Sequence, residues 1–522
     1  MKGFVVALLL AAVFYTGIRW GTFVAGGSDS YCYAHQAERW ASLLRQGFGG
    51  QALRLQEPEP LALGAPWPDA PLTFAPAGHV PSPTVPGAIV PICPAGLSMA
   101  MAPVLALGGR DAIFFVVPLF GVLLIAATRA LGSRFGARVG LAAAVLAACS
   151  PAFLYQLVQP MSDVPAAALW VTAVAAATGT GRRSAALAGL ATSGAVLVRP
   201  NLVPLGIPIA LFLLLRSERT WPERLRAAAT YAAWSLPGCL AVAAIQRTLY
   251  GSALSSGYGS LDVIFAADRI LPNAVRYVTW LTETHTPLWM LAAAAPLLLP
   301  GALARLLAAM VLVNVALYLP YYVFDDWSYL RFLLPAIPIV MILVVASIDA
   351  IVRRAAGPLA TTRDARGTRA TYVIAAVALA LAIVCIREAQ ARNVFRLQAL
   401  EARYARGGEF VNARLPRNAL VITSWQSGSV RFYSGRKTLA WDSLDPAWLD
   451  RAVAEVRQRG FEPYLLFERW EESAFRLRFP GSPIGALDWP PMAEVAAQVR
   501  VYRPGDRERY LRGEQPPTEY VR

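Results

Sequence analysis

The stretch Gly26-Gly27-Ser28-Asp29-Ser30, which continues as Tyr31-Cys32-Tyr33-Ala34-His35, decides how this chain is organised. It comes directly after an apolar run, Phe4 to Val24, that is long enough at 1.5 Å per residue to cross a bilayer of roughly 30 Å. We therefore expect Asp29 at the membrane surface. A carboxylate there costs far less than the roughly 2.5 to 3.5 kcal/mol that insertion scales assign to the bilayer centre, yet it lies close enough to lipid to meet a lipid-borne substrate.

The composition excludes a soluble protein. The 522 residues are 56% hydrophobic and only 16% charged, with a mean hydropathy of +0.45. The net charge of +15 does not indicate nucleic acid, because Lys and Arg cluster in short loops between apolar runs, as the positive-inside rule describes. The predicted fold class is mainly α, a polytopic helical membrane protein.

Sidedness follows if Lys2 is cytoplasmic. The apolar stretch continues past Arg19 to Val24, which favours an uncleaved first helix over a cleaved signal peptide. Asp29 then lies outside, followed by an amphipathic interfacial helix over Tyr31 to Gln46 and an ordered external loop over Gly47 to Ile92. The segment from Pro91 to Gly96 onward is interpreted as re-entrant or interfacial, because counting it as a span would place the following arginine-rich loops outside.

This assignment gives about eleven spans with the first helix. The others are expected at about 112–129, 139–155, 164–180, 184–198, 202–216, 229–249, 287–303, 306–323, 332–352 and 371–388. It divides the chain into a transmembrane domain, 1–390, whose first extracytoplasmic loop is 29–111, and an extracytoplasmic α/β domain, 391–522. The loop Tyr250 to Thr286 is also expected outside.

The α/β domain is predicted from alternating patterns. Short strands are expected at 419–425, 437–441, 464–467 and 495–502, and a helix at Pro446 to Arg459 that Asp445 caps and Gly460 ends. No GxGxxG or P-loop motif supports a nucleotide site there. The aromatic residues Trp425, Tyr433 and Trp441 suit either a sugar site or a hydrophobic core.

Acids and arginines of the outside face carry the candidate chemistry. Asp29, Asp163, Asp325 and Asp326 fall at helix ends on that face, together with Arg199, Arg276 and Arg331. A carboxylate can take the proton of an attacking acceptor hydroxyl, and cations can stabilise a phosphate leaving group. Sugar transfer from a lipid phosphate needs both.

The order of these motifs resembles the GT-C superfamily of glycosyltransferases, which includes protein O-mannosyltransferases and lipid A aminoarabinose transferases. The resemblance covers about residues 1–350. The matching features are the outside Asp29 after the first helix, the interfacial helix, Pro94-Ala95-Gly96, Asp163 before Val164-Pro165, Arg199-Pro200-Asn201, and Arg331-Phe332-Leu333-Leu334-Pro335.

The resemblance implies roles for four residues. Asp29 would be the catalytic base, Asp163 would assist in positioning acceptor or substrate, and Arg199 and Arg331 would hold the polyprenyl phosphate of the donor. Ser30 stands where the mannosyltransferases have a second acid, and Pro94 lacks a preceding Tyr-Pro. Without an acidic cluster like that of oligosaccharyltransferases, no divalent metal and no other cofactor is expected, since the lipid-linked sugar is a substrate.

Each candidate also has a structural interpretation. Asp29 and Asp163 are good helix caps, and arginines at helix ends commonly reach back to the membrane interface. His35, His79, Asp325, Asp326 and Arg276 are weaker candidates for substrate binding. The five cysteines are expected mainly as small buried hydrophobes, with pairing of Cys32 and Cys93 as the less favoured alternative.

The leading prediction is a glycosyltransferase of a bacterial-type inner membrane. It would act on the outside face with a polyprenyl-phosphate sugar donor, transferring to a lipid, glycan or protein hydroxyl with inversion. A secondary transporter or lipid flippase is the alternative, although charges at helix ends and the lack of an internal repeat argue against it. A non-catalytic partner for another envelope protein is a third possibility.

Overall fold

The computed structural model describes residues 2–46, 55–216, 218–355 and 363–521. The parts of the predicted external loop at 47–54 and of the predicted basic loop at 356–362 lie outside the described residues. The helices are α1 Lys2–Arg19, α2 Asp29–Gln46, α3 Ala70–Thr73, α4 Ala95–Gly108, α5 Val116–Gly132, α6 Ala137–Cys149, α7 Pro151–Leu157, α8 Asp163–Ala177, α9 Arg182–Val198, α10 Gly206–Leu215, α11 Trp221–Tyr250, α12 Leu261–Ile264, α13 Ile270–His285, α14 Leu291–Leu298, α15 Ala302–Tyr318, α16 Ile337–Ala355, α17 Arg363–Ala391, α18 Leu397–Arg414, α19 Ser427–Ser434, α20 Leu449–Gln458, α21 Glu471–Arg478 and α22 Gly505–Leu511.

The strands form two sheets. The strands are β1 Glu57–Pro58, β2 His79–Pro81, β3 Ala88–Pro91, β4 Ala419–Ile422, β5 Lys437–Leu439, β6 Glu462–Glu468, β7 Ala493–Val495, β8 Val499–Tyr502 and β9 Glu519–Val521. The first three make a small antiparallel sheet in the order β1-β3-β2, and the others make a mixed sheet in the order β5-β4-β6-β8-β7-β9.

The chain is mainly helical, and part of it is apolar enough to cross a membrane. Within the described residues, three helices meet the length and composition needed for a span, or up to five if each of two bent helix pairs counts as one. The bends are 62° between α6 and α7 and 80° before α16. Pro151 and Pro335 lie at these breaks, where a proline removes a backbone donor and disfavours the helical conformation of the preceding residue. The count of eleven spans stays a prediction.

One segment differs from its predicted form, and another, after Pro94, is a short helix whose predicted re-entrant or interfacial position stays a prediction. The external loop predicted over Tyr250 to Thr286 contains α13, so the prediction of a loop is wrong there. Asn273, Tyr277, Trp280 and Thr284 are buried along one face of α13, which is the i, i+4, i+7 spacing of an amphipathic helix. The segment after Pro94 forms the 14-residue helix α4, which packs against α2.

Cys32 and Cys93 form a disulfide, which the sequence favoured only as the second alternative. Both cysteines are buried, as expected for all five, and these two also form the less favoured pair. The bond ties α2, which begins at Asp29, to the segment just before α4. Cys149, Cys239 and Cys385 are free thiols.

The C-terminal sheet begins as a doubly wound unit. Strands β5, β4 and β6 are parallel, while β8 runs antiparallel to β6. Helix α19 connects β4 to β5 and buries Val430 in the core on one face of the sheet. Helix α20 lies between β5 and β6 and buries Leu449 and Val453 in the core on the other face. The predicted alternation of strands and helices is present, and the residue bounds proposed for the two domains stay a prediction.

The predicted strands of the tail can be compared one by one with the sheet. The first three correspond to β4, β5 and β6, whereas the expected strand at 495–502 is a hairpin of β7 and β8. The predicted helix after Asp445 begins with a short 3-10 turn, and the Asp445 carboxylate accepts a hydrogen bond from the backbone N–H of Ala447 at 2.8 Å. Gly460 follows the helix with φ of +83°, the left-handed conformation that glycine favours.

A buried carboxylate joins the first external loop to the C-terminal sheet. The Glu59 side chain has no exposure, and its Oε2 lies 2.7 Å from Nη1 of Arg431 and 3.0 Å from Nζ of Lys437. Arg431 belongs to α19 and Lys437 begins β5. Trp67 and Phe74 of the same loop pack in the core beside β4 and α20. The loop and the sheet therefore share one hydrophobic core and one ion-pair network.

Candidate functional site

The segment that carries Asp29 is held by contacts from distant parts of the chain. The backbone N–H of Thr22 donates to the carbonyl of Val158 at 2.8 Å, and that of Ala25 donates to the Tyr433 hydroxyl at 3.0 Å. Tyr433 is one of the aromatic residues considered for sugar binding, and its hydroxyl instead supports this segment. Asp29 then opens α2 with its position fixed on both sides.

Asp29 and Arg331 form an ion pair although they are 302 residues apart in sequence. Nη1 and Nη2 of Arg331 donate to the same oxygen, Oδ2 of Asp29, at 3.2 and 3.3 Å. Arg331 lies in the 3-10 helix Trp327–Leu333, and its guanidinium packs over the rings of Tyr329 and Phe332. The side chains of Asp29 and Arg331 keep 29% and 16% exposure, so both can meet a ligand.

Asp163 and Arg199 form a second ion pair beside the first. Nη2 of Arg199 lies 2.8 Å from Oδ1 of Asp163, whose side chain has no exposure. Ser162 links this pair to α2, because its hydroxyl accepts hydrogen bonds from the Tyr33 hydroxyl at 2.8 Å and from Nε of Arg199 at 3.3 Å. Arg199 Nη1 also donates to the Tyr318 hydroxyl at 3.2 Å.

The Pro94-Ala95-Gly96 motif explains how Arg199 is placed. A Cβ at Gly96 would lie 2.4 Å from the backbone of both Leu197 and Val198, which is far closer than atoms can approach. Only glycine lets the start of α4 pack against the end of α9 at this distance. Arg199 follows directly after Val198, so this contact sets where the guanidinium begins.

A cavity of about 730 Å³ has Asp29, Arg199 and Arg331 on its wall. Arg269 is the further charged residue of the wall, so the described lining carries one carboxylate and three guanidinium groups. Such a wall attracts an anion such as a phosphate. Asp163 is not part of the lining and lies behind Arg199. The cavity thus combines an accessible carboxylate with an excess of positive charge.

A second cavity of about 410 Å³ adjoins the first and is mostly apolar. The two share wall residues, among them Ile92, Pro94 and Tyr258. Side chains of α9 and α11, including Val196 and Leu249, line the second cavity. A cavity with three guanidinium groups on its wall, next to an apolar one, suits an amphiphile with a charged group and a hydrocarbon chain.

His35 and His79 come together, but in a cluster apart from the cavity. Their Nδ1 and Nε2 atoms are 3.1 Å apart, and Nε2 of His35 lies 3.0 Å from Oε2 of Glu57. Burial lowers the pKa of His79 well below its usual value. Burial alone would raise the pKa of Glu57, but His35 and Arg39 outweigh it and lower that pKa. Neither histidine lines the cavity.

The remaining predicted residues also lie outside the cavity wall. Arg276 pairs with the largely exposed Asp325, with 3.2 Å between Nε and Oδ1. The Asp326 carboxylate accepts a hydrogen bond from the backbone N–H of Ser328 at 2.8 Å and so caps the 3-10 helix that carries Arg331. Their predicted contact with substrate stays a prediction.

Several wall residues had no motif to indicate them. Tyrosines line much of the cavity, among them Tyr318, Tyr321 and Tyr329. Arg269 lies just before α13, in the segment that was interpreted as a loop. The density of tyrosine around 318–329 was the one available signal, and membrane-interface aromatic residues produce the same pattern.

Comparison with known proteins shows which solved structures this architecture resembles. The family model of dolichyl-phosphate-mannose-protein mannosyltransferases matches residues 97–246, which is less than half of the chain. No curated protein matches. Among solved structures, ArnT from Cupriavidus metallidurans bound to undecaprenyl phosphate is similar with a TM-score of 0.57 and 13% identity, covering 96% of this chain and 98% of that one.

A second similar structure is the archaeal oligosaccharyltransferase AglB from Archaeoglobus fulgidus in complex with an inhibitory peptide and a dolichol-phosphate. Its TM-score is 0.54 at 12% identity, and the match covers 94% of this chain and 73% of that one. These likenesses confirm the resemblance drawn from the motifs at the level of the fold. The chain is a multi-pass membrane protein with the GT-C fold.

Proposed function

We propose that this chain is a glycosyltransferase that moves a sugar from a polyprenyl-phosphate donor to an acceptor hydroxyl on the extracytoplasmic side of the inner membrane. The observation that carries the proposal is the wall of the main cavity, where Asp29 lies among the guanidinium groups of Arg199, Arg269 and Arg331. Two of the similar structures hold a polyprenyl phosphate according to their descriptions, and the adjoining apolar cavity suits such a tail.

The disulfide and the arginine distribution support the extracytoplasmic side. The Cys32–Cys93 bond lies on the helix that begins at Asp29, and such bonds persist in oxidising compartments. Helix α9 has the basic pair Arg182 and Arg183 at one end and the cavity residue Arg199 just past the other. Its 17 residues span about 25 Å at 1.5 Å per residue, so the basic loop and the cavity fall on opposite sides of most of a bilayer.

In the reaction, the acceptor oxygen forms a bond to the anomeric carbon while the bond from that carbon to the phosphate oxygen breaks. Asp29 takes the acceptor proton, and the polyprenyl phosphate leaves with the bonding electrons. The phosphate needs no acid, because the guanidinium groups of Arg199 and Arg331 stabilise its charge. Asp29 is the one carboxylate on the described wall, which suits a single displacement with inversion better than a double displacement.

Binding of the donor also affects Asp29, because Asp29 is paired with Arg331. Arg331 contacts a single oxygen of Asp29, and an incoming phosphate competes for the same guanidinium. As Arg331 turns toward the phosphate, Oδ2 of Asp29 loses its two arginine donors and is free to accept a hydrogen bond from the acceptor hydroxyl. Asp163 does not line the cavity but holds the guanidinium of Arg199, so it is a positioning residue.

A transfer assay tests the proposal. The full chain in lipid nanodiscs is supplied with undecaprenyl-phosphate sugars that carry a radiolabelled hexose or pentose, and with a cell-envelope extract as the acceptor pool. We expect label to move into a covalent product with release of polyprenyl phosphate, and Asp29→Asn to abolish it. Uptake of label into proteoliposomes without any covalent product would instead establish the transporter alternative.

A further inference from the structure

The order of the parallel strands reverses within the C-terminal sheet. From β4 the chain crosses through α19 to β5 on one side, and from β5 it returns through α20 to β6 on the other side. The two crossovers cover opposite faces of the sheet. The strand order therefore reverses between β4 and β6, and in open α/β sheets ligands bind in the crevice outside the carboxyl ends of strands at such a reversal.

Two exposed tryptophans lie at this reversal. Trp425 follows β4 and Trp470 follows β6, and their ring centroids are 5.8 Å apart with an edge-to-face orientation. They keep 48% and 56% exposure, although the aromatic residue Trp441 after β5 is buried in the core. Tryptophan is the residue whose burial yields the most, so a neighbouring pair left open to solvent on a folded sheet indicates a ligand surface.

Acidic side chains lie beside the two tryptophans, and two arginines of the same region are held in ion pairs. The exposed Asp442, which follows β5, accepts a hydrogen bond from the Ser424 hydroxyl at 2.8 Å, and Glu468 accepts one from Nε1 of Trp470 at 2.9 Å. Arg403 pairs with Glu468 at 2.9 Å and Arg469 pairs with Glu494 at 2.5 Å. The remaining lone pairs of the Asp442 carboxylate can accept hydrogen bonds. This suits a ligand rich in hydroxyl groups and disfavours a phosphate.

This region adjoins the main cavity at one residue. Trp425 belongs to the cavity wall that includes Asp29 and Arg331. Gly428 lets this part of the sheet approach the helix that begins at Asp29, because a Cβ there would lie 2.3 Å from the ring of Tyr31. A molecule stacked on Trp425 and Trp470 therefore extends from the sheet toward the carboxylate.

We infer that Trp425 and Trp470, with Asp442 beside them, bind the saccharide portion of the acceptor and direct one of its hydroxyls into the cavity. Flat aromatic faces pack against the C–H faces of sugar rings, and the carboxylate accepts from sugar hydroxyls. The inference rests on the proposed function for its orientation, and it narrows the acceptor from any hydroxyl compound to a glycan or glycoconjugate.

The test is glycan binding by the full chain in nanodiscs, on an array of neutral and acidic oligosaccharides without donor. We expect retained glycans whose affinity falls about tenfold or more in Trp425→Ala and in Trp470→Ala, as for central tryptophans of other interfaces. Trp470→Phe should retain most of the binding, because it keeps an aromatic face. Tyr520→Ala is the matched control, since Tyr520 is an exposed aromatic residue of the same sheet on the far edge strand β9.

The array contains no donor, so it measures glycan binding apart from transfer: glycan binding without transfer would contradict the proposed function alone, and transfer without glycan binding would contradict this inference alone. Failure of the array to retain the chain, or retention that neither alanine variant weakens, would overturn the inference. So would stronger quenching of wild-type than of Trp425→Ala/Trp470→Ala fluorescence by brominated phospholipid, because the two rings would then dip into the bilayer.

Discussion

Two acid–arginine pairs lie side by side at the cavity, and they differ in what surrounds the acid. Asp29 keeps 29% exposure beside Arg331 and lines the cavity. Asp163 has no exposure and lies behind Arg199. A charge that water reaches can change partners at small cost, whereas a buried charge that loses its partner is strongly penalised. The accessible acid is suited to chemistry, and the buried acid to holding Arg199 in place.

Of the variants that test this difference between the two pairs, Asp29→Asn should have the largest effect, and that effect should be on the transfer rate. Amide nitrogen and oxygen keep the shape of the side chain but cannot take a proton, so we expect the transfer rate to fall about 10²- to 10⁴-fold. The thermal midpoint in detergent should change little, because the lost ion pair is partly solvated. Initial rates of labelled product and a melting curve on the same preparation measure both quantities. A normal rate would remove Asp29 from the reaction.

Asp163→Asn should lower the stability of the protein more than it changes the chemical step. It removes the fully buried partner of Arg199, whose side chain is 12% exposed at the cavity, so the loss stays below the roughly 3 to 5 kcal/mol of a fully buried unpaired charge. We expect a clear fall in the thermal midpoint. Arg199→Met on its own should also destabilise, and the double variant Asp163→Leu/Arg199→Met should recover part of the loss because no buried charge is left. Additive losses would contradict direct coupling between the two side chains.

Arg331→Lys tests whether the exposed pair binds the donor phosphate. Lysine keeps the charge but loses the planar pair of donors, so we expect KM for the polyprenyl-phosphate sugar to rise about tenfold, with a smaller change in kcat. Asp325→Asn is a suitable control, because it removes a surface partner of Arg276 away from the cavity wall. A KM unchanged in Arg331→Lys would place the phosphate elsewhere.

Replacing His79 in the histidine cluster should have the smallest effect, and it should appear as a change in how the stability of the protein depends on pH. His79 is neutral when buried, because its pKa lies well below the usual 6.5, while the unfolded chain binds a proton below pH 6.5. Stability should therefore fall as pH drops below about 6.5, by at most about 1.4 kcal/mol per pH unit. His79→Asn should flatten this slope between pH 6.5 and 5 without changing transfer at pH 7. An unchanged slope would mean that His79 is not the group responsible.

Sidedness was enough to predict that Asp29 and Asp163 meet at one end of the helices. The arginine-rich loops predict the direction of the stretch before each acid, and that direction places both acids on the same predicted surface. Which arginine faces which acid could not be predicted, since the Asp29–Arg331 contact joins residues 302 apart and depends on how helices rotate about their axes. The same limit applies to His35 and His79, whose meeting depends on the fold of the loop.

The C-terminal strands were predictable because buried β-branched and aromatic runs alternate there with helical patterns. Their order in the sheet was not, and it is the order β5-β4-β6 that brings Trp425 next to Trp470. Trp470 therefore had no signal in the sequence. The helix α13 was missed for another reason, since its buried face is narrow and partly polar, with Asn273 and Thr284 among the buried residues.

The ion pair between Glu59 and Arg431 also has a consequence for how the protein is made. The two residues are 372 positions apart, so at about 5 to 20 residues per second the ribosome supplies Arg431 roughly 20 to 75 seconds after Glu59. Throughout that interval the Glu59 carboxylate has to stay hydrated, and the loop that carries it cannot yet pack. The contact between the first external loop and the C-terminal sheet is thus assembled last, after translation has delivered the tail. A nascent chain stalled before α19 carries Asp29 without the sheet that packs against this loop.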